Sequence, residues 1–194
     1  KGKVLCLIVD SLYSGLEVKT PSEKVAREML KDVLLGTDNK GKAVVVTTFS
    51  SHLARIKSII DFGKSMGRKV VILGRSMNKY IGAAENLKLV DFSKRTEIVG
   101  YGAKIKRKLD ILKSKRDKYL IIATGNQAEP GSVLDRMVNG MFNFKQEDSV
   151  IFSCSVIPDQ VNIRNREQME EKLKKKKVRI FTNIHVSGHC GRED

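Results

Sequence analysis

The sequence predicts an α/β domain with a mainly parallel sheet and with helices on both faces of that sheet. Short apolar runs recur along the chain and are bounded by glycine or small polar residues, which is the pattern of buried strands. Segments with apolar residues at helical spacing alternate with them. This alternation is typical of parallel sheets, because a helix carries the chain back to the starting edge after a strand. The 194 residues suffice for one sizeable core.

The first half of the chain is predicted to hold three buried strands, at residues 4–9, 43–48 and 69–73. A helix is predicted to begin near Thr20, which can cap it, and Pro21, which suits a first turn. Gly36 provides its end. The next two helices are predicted to end at Gly67 and near Leu87.

The second half is predicted to hold three more strands, at residues 119–123, 149–154 and 178–183. Residues 89–102 carry no clear signal. The basic run 104–116 has apolar residues at helical spacing, so it is predicted as a helix whose charged side faces water or follows a nucleic-acid backbone. Further helices are predicted from Pro130 and across residues 168–173.

The charge balance indicates a polyanionic partner. The chain has 37 Lys and Arg against 22 Asp and Glu, a net charge of +15, which exceeds what solubility requires and favours nucleic acid. A membrane partner is disfavoured, since aromatic anchors are scarce and no apolar run approaches about 20 residues. Cys6, Cys154 and Cys190 are widely spaced, which predicts reduced thiols in a cytoplasmic protein.

Four loops that follow predicted strands carry small polar residues and histidines: residues 50–52, 124–129, 153–155 and 185–189. The carboxyl ends of parallel strands meet at one edge of a sheet, so we expect these loops to converge there. Serine hydroxyls, backbone N–H groups and imidazoles are suited to hold a phosphate. The same residue types also serve as helix caps or as solvated loop residues, and both interpretations stay open.

Six short motifs occur in order along the chain: TPSE at 20–23, TTFSSH at 47–52, GRSM at 74–77, TGNQAEP at 124–130, Ser-Cys-Ser-x-Ile-Pro at 153–158 and HVSGH at 185–189. With these motifs the chain resembles the β-CASP domain of RNase J type ribonucleases, members of the metallo-β-lactamase superfamily. The resemblance covers nearly the whole chain. It implies a Rossmann-like β-CASP domain at residues 18–194, preceded at 1–17 by a strand and linker of the metallo-β-lactamase part.

The resemblance implies a zinc-dependent hydrolase that cleaves single-stranded RNA as an exonuclease, an endonuclease or both. The zinc signature HxHxDH of such enzymes is absent from this chain. The chain is therefore interpreted as an excised piece that is inactive alone and binds no metal, whereas the full-length protein is expected to hold two zinc ions. The expected partners are single-stranded RNA and the metallo-β-lactamase domain of the same protein, with a homodimer of the full-length protein as a further assembly and no membrane.

The resemblance also implies roles for individual residues. Glu129 lies in the acidic motif of the family and His189 in its first histidine motif, so both are predicted to be catalytic. His189 would donate to a phosphate oxygen or leaving group, with Glu129 orienting its ring. The residues predicted to hold the phosphate are Ser51, Ser155, His185, Val186, Ser187 and Gly188. After Ser155 the chain departs from the usual Pro-Ile-Pro-Gly-Asn-Glu of the family.

Two other functions are compatible with the sequence. In the first, the β-CASP fold is a non-catalytic module that only binds nucleic acid. In the second, the chain is an α/β domain that binds a small nucleotide. The second is disfavoured, because the sequence has no glycine-rich dinucleotide fingerprint and no P-loop.

Overall fold

The structure is a computed structural model that describes residues 3–193. The strands in this part are β1 (Val44–Thr47), β2 (Lys69–Leu73), β3 (Glu97–Val99), β4 (Tyr119–Ala123), β5 (Ser149–Phe152) and β6 (Arg179–Phe181). The helices are α1 (Glu23–Gly36), α2 (Leu53–Ser65), α3 (Arg75–Asn86), α4 (Gly102–Ser114), α5 (Val133–Arg136) and α6 (Gln160–Lys175). A 3-10 turn, Phe92–Lys94, precedes β3, and a π-helical turn, Met137–Met141, continues α5. No described helix is long and apolar enough to span a bilayer.

The strands form one sheet in the order β3-β2-β4-β1-β5-β6, and every neighbouring pair is parallel. Helices α1, α2 and α3 supply the core on one face, together with strand residues such as Val44 and Val46. Helices α4, α5 and α6 supply the core on the other face, where Val45 points. Both faces of the sheet are therefore covered, as a parallel sheet requires. The predicted fold class is confirmed.

The prediction of a buried strand at residues 4–9 is wrong. The segment makes no ladder with the sheet, and its apolar side chains are exposed, to 98% for Leu5 and 92% for Ile8. The outer strands of the sheet are β3 and β6, and the segment pairs with neither. Its assignment to a metallo-β-lactamase part stays a prediction, as does the boundary at residue 18; residues 1, 2 and 194 lie outside the described residues.

Strand β3 lies in the stretch without a sequence signal. It has only three residues and begins with a charged one, so neither length nor alternation distinguishes it from a loop. Its position is set by pairing with β2, where Glu97 lies beside Val71 and Val99 beside Leu73. The sheet thus has six strands, as many as predicted, but they include β3 and not residues 4–9.

Several helices begin at other residues than predicted. Helix α1 begins after Ser22, and the hydroxyl of Thr20 instead donates to the backbone carbonyl of His189 at 2.8 Å. Helix α5 begins after Ser132, whose Oγ accepts from the backbone N–H of Asp135, and not at Pro130. Helix α6 begins well before residue 168, because Asp159 caps it by accepting two backbone N–H groups.

Candidate functional site

Four loops come together where β4, β1, β5 and β6 end side by side in the sheet. The loops after β1, β5 and β6, together with Leu12 and Tyr13, enclose a groove of about 870 Å³, which we call the loop groove. Residues 124–129, after β4, are not part of its lining. Its polar lining consists of Ser51, His52, Ser155, His185, Ser187, Gly188 and His189. Its apolar lining consists of Leu12, Tyr13, Phe49, Val156, Ile157 and Pro158. The predicted convergence of the strand-end loops is thus observed.

Side-chain hydrogen bonds fasten these loops to one another. The hydroxyl of Thr48, after β1, donates to the carbonyl of Ser153, after β5, at 2.9 Å. The amide of Gln127, after β4, bridges to the same β5 loop: its Nε2 donates to the carbonyl of Ser155 at 2.9 Å, and its Oε1 accepts from the backbone N–H of Ile157 at 2.8 Å. Gln127 is buried, so this clamp is shielded from water.

Arg55 connects several elements that surround the loop groove. Its guanidinium is fully buried and holds the carboxylate of Glu23 through Nε and Nη2. Its Nη1 donates to the Oγ of Ser153 at 2.8 Å and to the carbonyl of Ile184 at 3.2 Å. Burial raises the pKa of Glu23, but the hydrogen bond and charge of Arg55 outweigh it and hold this pKa below its usual value. The guanidinium is thereby fully occupied and serves to position the loops.

Two histidines of the loop groove are kept neutral at pH 7. The Nε2 of His52 lies 3.4 Å from an Oε of Glu23, and the ring of His185 lies 6.1 Å from that of Phe49. Burial lowers the pKa of His52 despite the nearby carboxylate. Burial, followed by the charges of Arg55 and His52, lowers the pKa of His185 to about 4. These rings can therefore donate or accept hydrogen bonds, but they add no positive charge.

His189 is held from three sides. Its Nδ1 lies 2.7 Å from an Oδ of Asp10, and the ring of Tyr13 meets it edge-on at 5.7 Å between centroids. Its backbone N–H donates to the Oγ of Ser187 at 3.1 Å. The pKa of Asp10 is lowered, first by the backbone N–H of Leu12 and then by the imidazole. With Nδ1 directed at the carboxylate, the Nε2 of His189 is the ring nitrogen left for a ligand.

Among the described residues, Glu129 does not contact the imidazole of His189, which it was predicted to orient. Its side chain is exposed and accepts from the backbone N–H of Gln127 at 3.2 Å, within its own loop. The carbonyl of Gly125 accepts from the N–H of Ala128 in a tight turn, which directs the end of the loop outward. The carboxylate on the imidazole of His189 belongs to Asp10, which was not among the predicted site residues.

Of the other predicted site residues, all but Val186 line the loop groove. Those that line the loop groove are Ser51, Ser155, His185, Ser187, Gly188 and His189. Val186 is buried beneath the loop and supports it. Residues that sequence reasoning missed are Arg55, whose basic character on an apolar helix face was the available signal, and Tyr13, for which we find no sequence signal.

The arrangement has the chemistry to bind a phosphate ester that carries an aromatic group. Serine hydroxyls and neutral imidazoles offer donors to phosphate oxygens, and the apolar wall with Tyr13 and Phe49 can pack against a base. The volume of the loop groove is in the range of ligand sites. Within residues 3–193, no three His, Cys, Asp or Glu side chains are grouped so that they could hold a metal ion.

Comparison with known proteins is consistent with this geometry. The family described as "Ribonuclease J, beta-CASP domain" matches residues 41–170, from the turn before β1 into α6. The chain is 45% identical to the Ribonuclease J of Methanocaldococcus jannaschii over 197 residues, which covers 100% of this chain and 44% of that protein. It is 39% identical to the Ribonuclease J of Pyrococcus abyssi, covering 100% of this chain and 43% of that protein.

A bacterial relative, the Ribonuclease J of Thermus thermophilus, is 34% identical over 203 residues, covering 98% of this chain and 32% of that protein. In all three comparisons the similarity extends past residues 41–170 to nearly the whole chain, including the loops that close the groove. The chain spans less than half the length of each of these relatives.

Proposed function

Because the chain belongs to the family of ribonuclease J β-CASP domains, we propose that it is the substrate-clamping part of a zinc-dependent ribonuclease that hydrolyses single-stranded RNA. The observation that carries the proposal is the convergence of three strand-end loops on one groove containing His189. The relatives named Ribonuclease J support the ribonuclease activity. Since they are more than twice as long as this chain, hydrolysis is proposed for a longer protein.

The loop groove suits one nucleotide of a single strand. The hydroxyls of Ser51, Ser155 and Ser187 are donors at the ends of three different strands. Such donors stabilise the extra negative charge that a phosphodiester acquires during hydrolysis. A duplex would keep its bases paired and away from the apolar wall, whereas a single strand can place a base there.

His189 is proposed to act on the scissile phosphate through Nε2. Asp10 holds the other ring nitrogen and so fixes the orientation of the imidazole. An imidazole in this position can donate a proton to a phosphate oxygen or to the leaving group. Glu129, at the exposed end of its loop, stays a proposed catalytic residue on the strength of the resemblance alone.

Zinc is assigned to residues outside this chain. The described residues contain no suitable group of three ligands, so they do not fit a zinc centre by themselves, and no step is derived through the metal. When bound in the longer enzyme, zinc would supply a water whose pKa is near 7. We propose the metallo-β-lactamase domain as the partner that carries it, with the protein located in the cytoplasm.

Binding tests the first half of the proposal. Fluorescence anisotropy of the 194-residue chain with 5′-monophosphorylated and 5′-hydroxyl single-stranded RNA, over a series of salt concentrations, should give binding that weakens steeply with salt. Ser187→Ala is expected to weaken it, Ser187→Thr to retain it, and Ser65→Ala, on the far end of α2, to leave it unchanged. Equal binding by all three variants would contradict the assignment of the loop groove.

Hydrolysis tests the second half. In the longer protein loaded with zinc, His189→Ala should lower the rate of RNA hydrolysis by about two orders of magnitude, the scale of general acid–base groups. A near wild-type rate would refute the role of His189. Binding of RNA without any hydrolysis by the zinc-loaded longer protein would identify the chain instead as a non-catalytic nucleic-acid-binding module.

A further inference from the structure

A second groove runs along the outer edge of the sheet, beside β3. We call it the edge groove and define it by Asn78 of α3 and by Tyr101, Lys104, Arg107 and Ile111 at and along α4. Its volume is about 550 Å³. None of these residues lines the loop groove. Lys104, Arg107 and Ile111 belong to the basic run 104–116, for which the sequence leaves open a solvated helix face or a surface for a nucleic-acid backbone.

The electrostatics of the edge groove favour an anion. Lys104 and Arg107 are exposed, and neither makes an ion pair with any residue between 3 and 193. The acidic residue in the groove lining is Glu97, and its carboxylate is neutralised by the ammonium of Lys108. The two unpaired cations lie one helical turn apart on α4, so they can contact neighbouring phosphates of one strand.

The groove also offers a surface for a base. Tyr101 is 59% exposed and Ile111 is 48% exposed, although both have large apolar side chains that are costly to leave in water. An exposed aromatic ring beside unpaired cations is the combination with which proteins bind single-stranded nucleic acid. The amide of Asn78, packed against Gly100 at the end of β3, adds a hydrogen-bonding group at the same place.

One end of the edge groove lies at the same edge of the sheet as the loop groove. All strands are parallel, so the end of β3, where Tyr101 lies, is at the same edge of the sheet as the loop groove. The hydroxyls of Ser50, beside the loop groove, and of Ser76, at the start of α3, are 2.8 Å apart. Three strand spacings, about 14 Å in all, separate β1 from β3, which is a short distance for an extended strand of RNA.

We propose that the edge groove is a second subsite for the single-stranded RNA bound in the loop groove, in which Tyr101 stacks on a base and Lys104 and Arg107 neutralise phosphates. The inference rests on the proposed function. It gives the path of the RNA across the protein. From the loop groove the strand continues across the ends of β1, β4 and β2 towards α4. Contacts of this kind depend on stacking and charge, so the subsite should be indifferent to base sequence.

The test compares RNA lengths. Anisotropy is measured with oligoadenylates of about 4 and about 12 nucleotides, the range of lengths that one binding fold covers. Tyr101→Ala combined with Lys104→Gln and Arg107→Gln should weaken binding of the longer RNA about tenfold or more, with little effect on the shorter one. The slope of log affinity against log salt should fall in magnitude by about 1.4, as expected for two phosphate contacts on a single strand.

Matched variants separate this effect from general loss of charge. Lys174→Gln with Lys175→Gln removes two exposed cations at the end of α6, on the opposite edge of the sheet, and should change neither affinity nor slope. Tyr101→Phe keeps the ring and should bind like the wild type. A triple variant that binds the longer RNA as the lysine control does would overturn the second subsite while leaving the loop groove intact.

The remaining outcomes are also decisive. If the wild-type chain binds neither RNA at low salt, the proposed function fails and the second subsite fails with it. If polyglutamate competes for the edge groove as well as RNA does, and Tyr101→Ala has no effect, the groove is a surface for an acidic peptide and the RNA subsite is refuted. If Ser187→Ala weakens both lengths while the triple variant weakens only the longer, both proposals are supported separately.

Discussion

The buried guanidinium of Arg55 grips the carboxylate of Glu23 with two hydrogen bonds, from Nε at 2.6 Å and from Nη2 at 2.8 Å. The same side chain reaches the carbonyl of Ile184 and the hydroxyl of Ser153. A single residue of α2 thus fixes the start of α1, the end of β5 and the loop that leads to His189. The geometry of the loop groove therefore depends on a buried charge that does not line the groove.

Arg55→Met is expected to destabilise the chain by about 3 kcal/mol, because it leaves a partly buried carboxylate without its partner. Arg55→Lys should be intermediate, since an ammonium cannot make the same set of hydrogen bonds. Urea denaturation followed by circular dichroism measures both. The control is Arg192→Ala, which breaks an exposed pair with Glu17 and should cost less than about 1 kcal/mol. Equal losses for Arg55→Met and Arg192→Ala would contradict the prediction.

The stability of the chain should fall as the pH is lowered from about 6.5 to about 4. Burial holds the pKa of His185 at about 4, below the value of about 6.5 in an unfolded chain. Between these values the unfolded state binds a proton that the folded state does not, so lower pH favours unfolding. His52, whose pKa is also lowered, acts in the same direction.

The measurement is the urea midpoint at pH 7 and pH 5 for the wild type and for His185→Gln. The wild type should lose more stability between the two pH values. The variant lacks the imidazole at position 185, which takes up a proton in this pH range only when the chain unfolds. Glu23 has a lowered pKa, so its contribution is lost only at still lower pH and does not obscure the comparison. An identical pH dependence in both proteins would show that His185 is not the group responsible.

Three glycine-to-alanine substitutions should differ in sign and size. Gly125 has φ +119, and a Cβ there would lie 2.5 Å from the Oγ of Ser132, so Gly125→Ala should cost more than about 2 kcal/mol. Gly131 has φ +75 but open space around it, so Gly131→Ala should cost about 1 kcal/mol. Gly82 lies inside α3 with open space, and Gly82→Ala should stabilise by about 0.5–1 kcal/mol.

The same urea experiment ranks these three variants. Because all of them add one methyl group, differences among them report backbone conformation and space and not hydrophobicity. A Gly125→Ala protein as stable as Gly131→Ala would mean that the loop between β4 and α5 adapts, and that its tight turn is not imposed by contact with Ser132.

Two of the three cysteines should react rapidly with a thiol reagent at pH 8. Cys6 and Cys190 are exposed, whereas Cys154 is buried and burial raises the pKa of its thiol to about 11. Only the thiolate is nucleophilic, so Cys154 should react only when the chain unfolds. A Cys6→Ser variant should lose one fast thiol in a colorimetric thiol assay and Cys154→Ala should lose none. Three fast thiols in the folded wild type would refute the burial of Cys154.

The fold class could be predicted from the sequence because most strands are short, strongly apolar runs. β1 is fully buried, and its valines admit few alternatives to a central strand. β3 could not be predicted, since its identity lies in pairing with Val71 and its neighbours. Residues 4–9 have the composition of a strand without a partner in the described chain, so local pattern alone was misleading.

The candidate site was predictable to the extent that parallel strands end at one edge. That rule predicts that Ser51, Ser155 and Ser187 lie close together, and all three line the loop groove. It could not identify which carboxylate meets His189, because Asp10 is 179 positions away and Glu129 lies in a more conspicuous motif. Such a choice depends on side-chain directions within loops, which composition does not encode.

The order of the strands also has a consequence for biosynthesis. β1 pairs only with β4 and β5, so Val44 meets Leu120 on one side and Ser149 on the other. A nascent chain emerging from the ribosome therefore carries an apolar strand whose partners have yet to be translated. Folding must wait for contacts of large sequence separation, which form slowly and leave an adhesive edge uncovered in the meantime. The central position that buries β1 in the finished sheet thus leaves its edges unpaired until β4 and β5 have been synthesised.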